Sequence, residues 1–181
     1  DEVEEVIERL RRLAERIEER LREMDRRLEE LVERAKRTIE RLHEELEKLV
    51  REAEELIRRD NNDKLVEELI RRSEDLSRKI EETIRRIIER LRKLSREIEE
   101  EIRRVIEELK RLLDKIRADR GDDKDVTRLE EELRRVVKKL EDLLREHKEK
   151  SDRAVEDLER LLTEHKKRNE DVIRRLKEAS D

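Results

Sequence analysis

The chain has 181 residues, of which 59% are charged and 32% apolar, and it contains no Phe, Trp, Tyr, Cys or Pro and one Gly. Such a composition is typical of disordered chains, because few apolar groups are available to offset the conformational entropy lost on folding. The apolar residues, however, are mostly Leu, Ile and Val at helical spacing, which predicts long amphipathic helices.

The formal net charge is −5, and Arg and Glu alternate at three- and four-residue spacings. This arrangement indicates solvated helix faces with intrahelical ion pairs and excludes a basic patch for nucleic acid. The absence of Cys excludes disulfide and thiolate chemistry. No apolar run reaches about 18 residues and the first residues are acidic, so we expect a soluble protein without signal peptide or membrane span, its cellular location unknown.

An 18-residue repeat runs through the first predicted helix, at residues 2–59. Its copies at 6–23, 24–41 and 42–59 align position for position. Eighteen residues make five turns at about 3.6 residues per turn, so the repeat keeps the apolar stripe on one side of a straight helix. The stripe covers an arc of roughly 120°, and the rest of the circumference is charged.

The second helix is predicted at residues 64–118 and carries the clearest copies of the repeat. Residues 69–86 read LIRRSEDLSRKIEETIRR, and residues 87–104 read IIERLRKLSREIEEEIRR. In the turn before this helix, Asn61 suits the left-handed conformation at a helix end, and Asn62 or Asp63 suits an N-cap. After the helix, Gly121 is expected at the C′ position.

The third helix is predicted at residues 124–179, with repeat copies at 136–153 and 154–171. The turn before it holds an acidic cluster of Asp122, Asp123 and Asp125. These carboxylates suit the positive end of the helix dipole. A calcium-binding EF-hand loop is disfavoured, because the glycine and the bidentate glutamate that such a loop requires downstream are absent.

Three helices with the same narrow apolar arc predict an all-α fold. We expect a long up-down-up antiparallel three-helix bundle, straight or nearly so, with residues 1–181 forming a single elongated domain. An arc of about 120° is what each member of a closed three-helix bundle buries, whereas a second layer would require a wider stripe.

Polar residues occupy the stripe at matching repeat positions. In the third helix, the position of Leu129 becomes His147 and then His165, and in the second helix Ser77 and Ser95 are equivalent. If both turns are short, facing positions of these two helices have residue numbers that sum to about 243. This geometry predicts that His147 lies beside Ser95 and that His165 lies beside Ser77.

Buried polar groups without partners cost about 1–3 kcal/mol each, so these side chains are expected in hydrogen-bonded sets. The first predicted set comprises Ser95, His147 and Ser151. The second comprises Ser73, Ser77, His165, Asn169, His43 and Thr38. The last two lie toward the edge of the stripe of the first helix, and Thr83 has no predicted partner.

We favour a structural role for both sets, because a polar layer on one helix pairs only with a polar layer on its neighbour. A slipped register would leave buried polar groups without hydrogen-bond partners. A pH-responsive role ranks second, since burial disfavours a charged imidazole and would make the fold less stable in acid. Metal binding is disfavoured: His43 and His165 could approach each other, but no HExxH or Glu-x-x-His pattern accompanies them.

Catalysis is disfavoured as well, and we expect no catalytic, metal or cofactor site. No serine has a His and an Asp at a spacing that suggests a triad, and no glycine-rich phosphate loop exists. A closed core of Leu, Ile and Val offers no evident substrate pocket.

Residues 69–104 hold two successive copies of the repeat, and the turns RDNNDK and ADRGDDKD are short. Aromatic residues and proline are absent, and polar layers recur within an apolar core. In these features the chain resembles computationally designed, parametric helical bundles rather than a natural family. The resemblance covers the whole chain. It implies an untwisted bundle whose buried hydrogen-bond networks supply specificity, without a native function. Spectrin-type rods, with aromatic anchors and irregular breaks, and lipid-binding helical proteins, with prolines between helices, are poor matches.

The expected function is therefore that of a non-catalytic structural scaffold, a monomer that requires no partner, nucleic acid or membrane. The alternative is an interaction module that self-associates or accepts a fourth helix. Acid would release the bound helix or copy by protonating the buried histidines. Residues at the stripe edge that could widen such an interface are Val32, Ile39, Val50 and Ile57. Membrane-surface binding is disfavoured, because the polar faces mix Glu and Arg and lack aromatic or basic flanks.

Overall fold

A computed structural model describes residues 2–59, 63–120 and 124–180 of the chain. It contains three α-helices: α1 (Glu2–Arg58), α2 (Asp63–Arg120) and α3 (Lys124–Ser180). Compared with the predicted range 64–118, α2 begins one residue earlier, at Asp63, and ends two residues later, at Arg120. The turn residues with predicted capping or dipole roles that lie outside the described residues are Asn61, Asn62, Gly121, Asp122 and Asp123.

Local sequence accounts for these long helices. The described residues include neither Gly nor Pro, and Leu, Glu, Arg and Lys are among the best helix formers. Asp63 and Asp125 lie in the first turns of α2 and α3, and Arg58 and Lys177 lie in the last turns of α1 and α3, where each charge complements the helix dipole. Arg/Glu ion pairs four residues apart add about 0.2–0.5 kcal/mol each.

The chain divides into two compact packing units, each of which contains a segment of all three helices. Unit 1 comprises residues 1–28 and 92–153, and unit 2 comprises residues 29–91 and 154–181. Each unit has its own core and its own buried polar side chains. That the whole chain forms one elongated domain stays a prediction.

The fold is the predicted all-α three-helix bundle, and contacts inside each unit give the helix directions. Contacts between α1 and α3 join residues whose numbers rise together, whereas contacts between α2 and α3 join residues whose numbers run in opposite directions. The α1–α3 contacts include Arg11–Glu132 and Asp25–His147 in unit 1, and His43–His165 and Glu47–Arg168 in unit 2. The α2–α3 contacts include Ser95–His147 and Lys110–Glu141 in unit 1, and Ser77–His165 and Glu74–Lys177 in unit 2.

Leu, Ile, Val and Ala from all three helices fill both cores. Buried residues in unit 1 include Leu10, Leu21, Ile98, Ile102, Leu109, Leu133 and Leu140. Buried residues in unit 2 include Ile39, Leu46, Ala53, Leu69, Ile80, Ile84, Leu158 and Leu176. Each fully buried Leu or Ile side chain stabilises the fold by about 1.5–3 kcal/mol, so the apolar stripe supplies the main driving force.

Candidate functional site

A chain of three polar side chains crosses the core of unit 1. The imidazole of His147 is only 1% exposed, and its Nδ1 lies 2.6 Å from Oδ1 of Asp25 on α1. Its other nitrogen, Nε2, lies 3.3 Å from Oγ of Ser95 on α2. We call Asp25, Ser95 and His147 the aspartate layer.

The partners of His147 define its tautomer. A carboxylate only accepts hydrogen bonds, so Nδ1 of His147 carries the proton and donates it to Asp25. In the neutral ring Nε2 carries the lone pair and faces the Ser95 hydroxyl, whose single proton has a second acceptor within reach. The Ser95 hydroxyl also lies 3.4 Å from Oε1 of Glu99, and Nζ of Lys150 lies 3.5 Å from Oδ2 of Asp25.

A second set of polar side chains lies in the core of unit 2. His165 is 2% exposed, and its Nε2 lies 3.2 Å from the backbone oxygen and 3.4 Å from Oγ of Ser77. Its Nδ1 lies 3.1 Å from Nε2 of His43 on α1, and the amide nitrogen of Asn169 also contacts the ring. We call His43, Ser77, His165 and Asn169 the histidine layer.

His165 has the opposite tautomer to His147. Because the carbonyl of Ser77 can only accept, Nε2 of His165 carries the proton and donates it to that carbonyl. Nδ1 of His165, which has one lone pair, then accepts from Nε2–H of His43, and the amide nitrogen of Asn169 contacts both nitrogens of the same ring. The two imidazole rings of this layer meet edge to face, with centroids 4.6 Å apart and planes inclined by 66°.

Burial lowers the pKa of both histidines in the histidine layer. For His43, desolvation is the main cause, and the charges of His165 and Arg168 lower its pKa further while Glu47 opposes them. For His165, desolvation again lowers the pKa, against the hydrogen bond to the Ser77 backbone and the charge of Glu81. Both rings therefore favour their neutral forms.

The structure separates some predicted members from these layers. Ser73 is buried but donates to the Leu69 carbonyl of its own helix at 2.8 Å. Ser151 is buried and Thr38 half-buried, and neither forms a hydrogen bond to a histidine within the described parts of the chain. Thr83 donates to the Lys79 carbonyl at 2.7 Å, so the hydroxyl without a predicted partner is satisfied one turn back.

Sequence reasoning missed Asp25, although the repeat contained the signal. Position 25 is 18 residues after Ile7 and 18 residues before His43, so the three are equivalent in α1. The Asp25 side chain is 17% exposed, and the residue lies at the edge of the apolar stripe. From sequence, a charged residue at that edge is expected on the surface. One repeat position on each helix supplies residues for three levels. An apolar level holds Ile7, Leu113 and Leu129, and the equivalent residues form the aspartate layer (Asp25, Ser95, His147) and the histidine layer (His43, Ser77, His165).

Glu132 is another buried residue that the periodic pattern did not single out. The residue is 7% exposed, and Oε1 of its side chain accepts a hydrogen bond from Nε of Arg11 at 2.8 Å. The Arg11 hydrogen bond is the main cause that holds the pKa of Glu132 below its usual value, against desolvation. This pair joins α1 to α3 within unit 1.

A surface cavity of about 210 Å³ adjoins the histidine layer in unit 2. His43 and Asn169 line it, so the layer borders a space large enough for several water molecules. Its other lining residues are Leu46, Val50, Val172, Glu47, Glu54, Arg51 and Arg168.

The aspartate layer brings together the side-chain order of a nucleophilic triad, which sequence spacing had not indicated. However, Ser95 and His147 are buried, and Ser95 lies within a continuous helix whose amides are engaged in helical hydrogen bonds. No amide pair is therefore free beside Ser95 to stabilise an oxyanion. Among the described residues, no group of three or more His, Cys, Asp or Glu side chains is arranged to hold a metal ion.

None of the described helices combines the length and the apolar character that crossing a membrane requires. The fold and the polar layers together define the class of protein, a three-helix bundle with hydrogen-bonded polar side chains buried among apolar ones.

A model of the Pex19 protein family matches residues 4–146, which are 143 of the 181 residues. By the extent of that match, the chain belongs to this family. The matched range ends immediately before His147, so the polar side chains of α3 in both layers lie beyond it. It consists almost wholly of the amphipathic Leu/Glu/Arg pattern of α1, α2 and early α3, and that pattern describes helices without describing a site.

Among solved structures, the chain is similar to a computationally designed three-helix bundle at 18% sequence identity and a TM-score of 0.54. The alignment covers 99% of this chain and 88% of that chain. At this identity the likeness shows the fold alone, and it agrees with the three-helix architecture described above. No curated protein matches the chain.

Proposed function

We propose that the protein is a non-catalytic structural scaffold whose two polar layers select one arrangement of its helices. The observation that carries this proposal is the repetition of one three-position pattern. Positions 25, 95 and 147 hold one hydrogen-bonded set, and positions 43, 77 and 165 hold another. The likeness to a designed bundle supports a scaffold as the class of function.

The distances explain how such layers act on register. Sliding α2 past α3 by one turn moves facing residues by about 5.4 Å, more than any hydrogen bond tolerates. His147 would then face Leu91 or Ile98 in place of Ser95. A buried polar group stranded in this way costs about 1–3 kcal/mol, whereas purely apolar levels of Leu and Ile penalise the slip less.

The chain supplies its own control for a test of this proposal. In Asp25→Ile/Ser95→Leu/His147→Leu, the aspartate layer takes the residues found at the apolar level of the same repeat. We expect the variant to fold with equal or greater stability, since well-packed apolar groups often replace buried polar networks without loss. It should nevertheless populate more than one helix arrangement, which amide NMR spectra would reveal as extra peak sets and light scattering as species beside the 22.4 kDa monomer. A single peak set and an unchanged monomer would contradict the proposed role.

A monomer that needs no partner is part of this proposal. Val50 and Ile39, which could have widened an interface, are buried, and Val32 and Ile57 are half-buried. The large hydrophobic side chains that are exposed among the described residues are Leu65, at 40%, and Leu112, at 39%, and they lie in different units. Isolated exposed leucines are ordinary on a soluble surface and do not form a docking patch.

A second candidate function, acid response, is favoured by the pairing of two imidazoles in the histidine layer. His43 and His165 share one hydrogen bond between ring nitrogens, and protonating the acceptor removes it. The charged groups that face this pair are Glu47 on α1, Glu81 on α2 and Arg168 on α3. Because the pKa of each histidine is lowered on folding, the unfolded chain binds protons first, and stability falls as the pH drops below about 6.5.

A further inference from the structure

We propose that His43 and His165 form a binding site for a divalent transition-metal ion of the copper and zinc class, which takes the place of the proton they share. No HExxH or Glu-x-x-His pattern accompanies these histidines, and the sequence therefore did not predict a metal site. The site arises between helices instead, where Nε2 of His43 lies 3.1 Å from Nδ1 of His165. This inference is independent of the scaffold function, because neither role requires the other.

The distance between the two nitrogens suits ligation. An imidazole nitrogen binds zinc at about 2.0–2.1 Å, so two such ligands lie about 2.9 Å apart at a right angle and about 3.3 Å apart at a tetrahedral angle. The observed 3.1 Å falls between these values, and the rings are well separated at 4.6 Å between centroids. A small shift of the half-buried His43 ring completes either geometry.

The hydrogen bonds around His165 prepare it as a ligand. Its Nε2–H is held by the Ser77 carbonyl, which leaves the lone pair of Nδ1 directed toward His43. A backbone carbonyl that holds the second N–H is the usual outer partner of a metal-bound histidine. His43 becomes the second ligand in its other neutral tautomer, in which Nδ1 carries the proton and Nε2 presents its lone pair.

Further ligands come from the cavity side. The amide of Asn169 contacts Nδ1 of His165, and turning that amide presents its oxygen to an ion there. The adjoining cavity of about 210 Å³ admits water, and Glu47, one turn after His43, lines it. Since the described residues hold no preformed set of three ionisable ligands, the protein supplies two imidazoles and water completes the shell.

The aspartate layer offers a matched control for this site. Both nitrogens of His147 already have partners, Asp25 and Ser95, and no second imidazole lies beside them. The chain has three histidines, so one of them serves as an internal reference for the other two. By the usual affinity order for nitrogen ligands, copper(II) should bind more tightly than zinc.

Titration of the full chain with copper(II) chloride and with zinc chloride, at pH 7.5 in a non-coordinating buffer, tests the proposal. We expect one copper ion per chain with two nitrogen ligands in its electron paramagnetic resonance spectrum, and weaker zinc binding. The variant His43→Leu should bind copper at least about tenfold more weakly, whereas His147→Leu should bind it as the parent does.

A measurement on the unmodified chain guards against a variant that fails to fold. In histidine ring NMR spectra, zinc should shift the signals of His43 and His165 and leave those of His147 in place. Equal copper affinity in the parent and in His43→Leu would overturn the proposal, because it would place the ion on surface carboxylates. Equal zinc-induced shifts on all three histidines would overturn it as well.

Discussion

At the scale of single residues, Asp25 is the residue that joins α1 to the first polar set. The set was predicted as Ser95, His147 and Ser151. In the structure, the Asp25 carboxylate of α1 lies 2.6 Å from Nδ1 of His147, and Ser151 forms no hydrogen bond to this set among the described residues. Because the Asp25 carboxylate only accepts, it orients the His147 ring with a proton on Nδ1 and places Nε2 3.3 Å from the Ser95 hydroxyl. One partly exposed residue thus determines how a buried layer is bonded.

Replacing Asp25 alone should therefore cost stability. Asp25→Ile leaves the buried Nδ1–H of His147 without an acceptor, and we expect the free energy of unfolding to fall by about 1–3 kcal/mol. The triple variant that also converts Ser95 and His147 to Leu should recover that loss, since no polar group then remains unpaired. Urea unfolding of the parent and both variants measures the difference. If the single variant were as stable as the triple variant, Asp25 would not be the partner that satisfies His147.

At the scale of helices, the repeat determines which residues meet. The sums of residue numbers for Ser95 with His147 and for Ser77 with His165 are both 242, against about 243 expected from short turns. The α1 residues that join the polar layers were less predictable. His43 was placed only near the height of its set, because the edge of an apolar stripe does not show from sequence whether a polar side chain turns inward or toward water.

The contact between α1 and α3 in unit 2, made by His43 and His165, should be acid-sensitive. Between pH 7.5 and 5, urea unfolding should show a larger loss of stability in the parent than in His43→Ile/Ser77→Leu/His165→Leu, because folding lowers the pKa of both histidines. Surface carboxylates titrate in both proteins and cancel in the comparison. The same slope in the two proteins would show that the histidine layer does not respond to acid.

At the scale of the whole molecule, one repeat serves three kinds of level. The same positions carry Ile7, Leu113 and Leu129 at an apolar level, then an Asp–His–Ser set and a His–His–Ser set. Periodicity was sufficient to predict the three helices, their directions and the His/Ser pairs, since each follows from which face is apolar and from short turns. It could not predict that Ser73 and Thr83 bond within their own helices, because a hydroxyl can satisfy itself one turn back whatever lies opposite.

The central claim is that the two layers, written alike in sequence, are hydrogen-bonded in opposite senses. Long-range nitrogen–proton NMR spectra of the histidine rings at pH 7.5 test it directly, because each tautomer has its own pair of nitrogen shifts. We predict the Nδ1–H form for His147, held by Asp25, and the Nε2–H form for His165, held by the Ser77 carbonyl. The same tautomer at both positions, or averaged shifts typical of a solvent-exposed imidazole, would contradict the account.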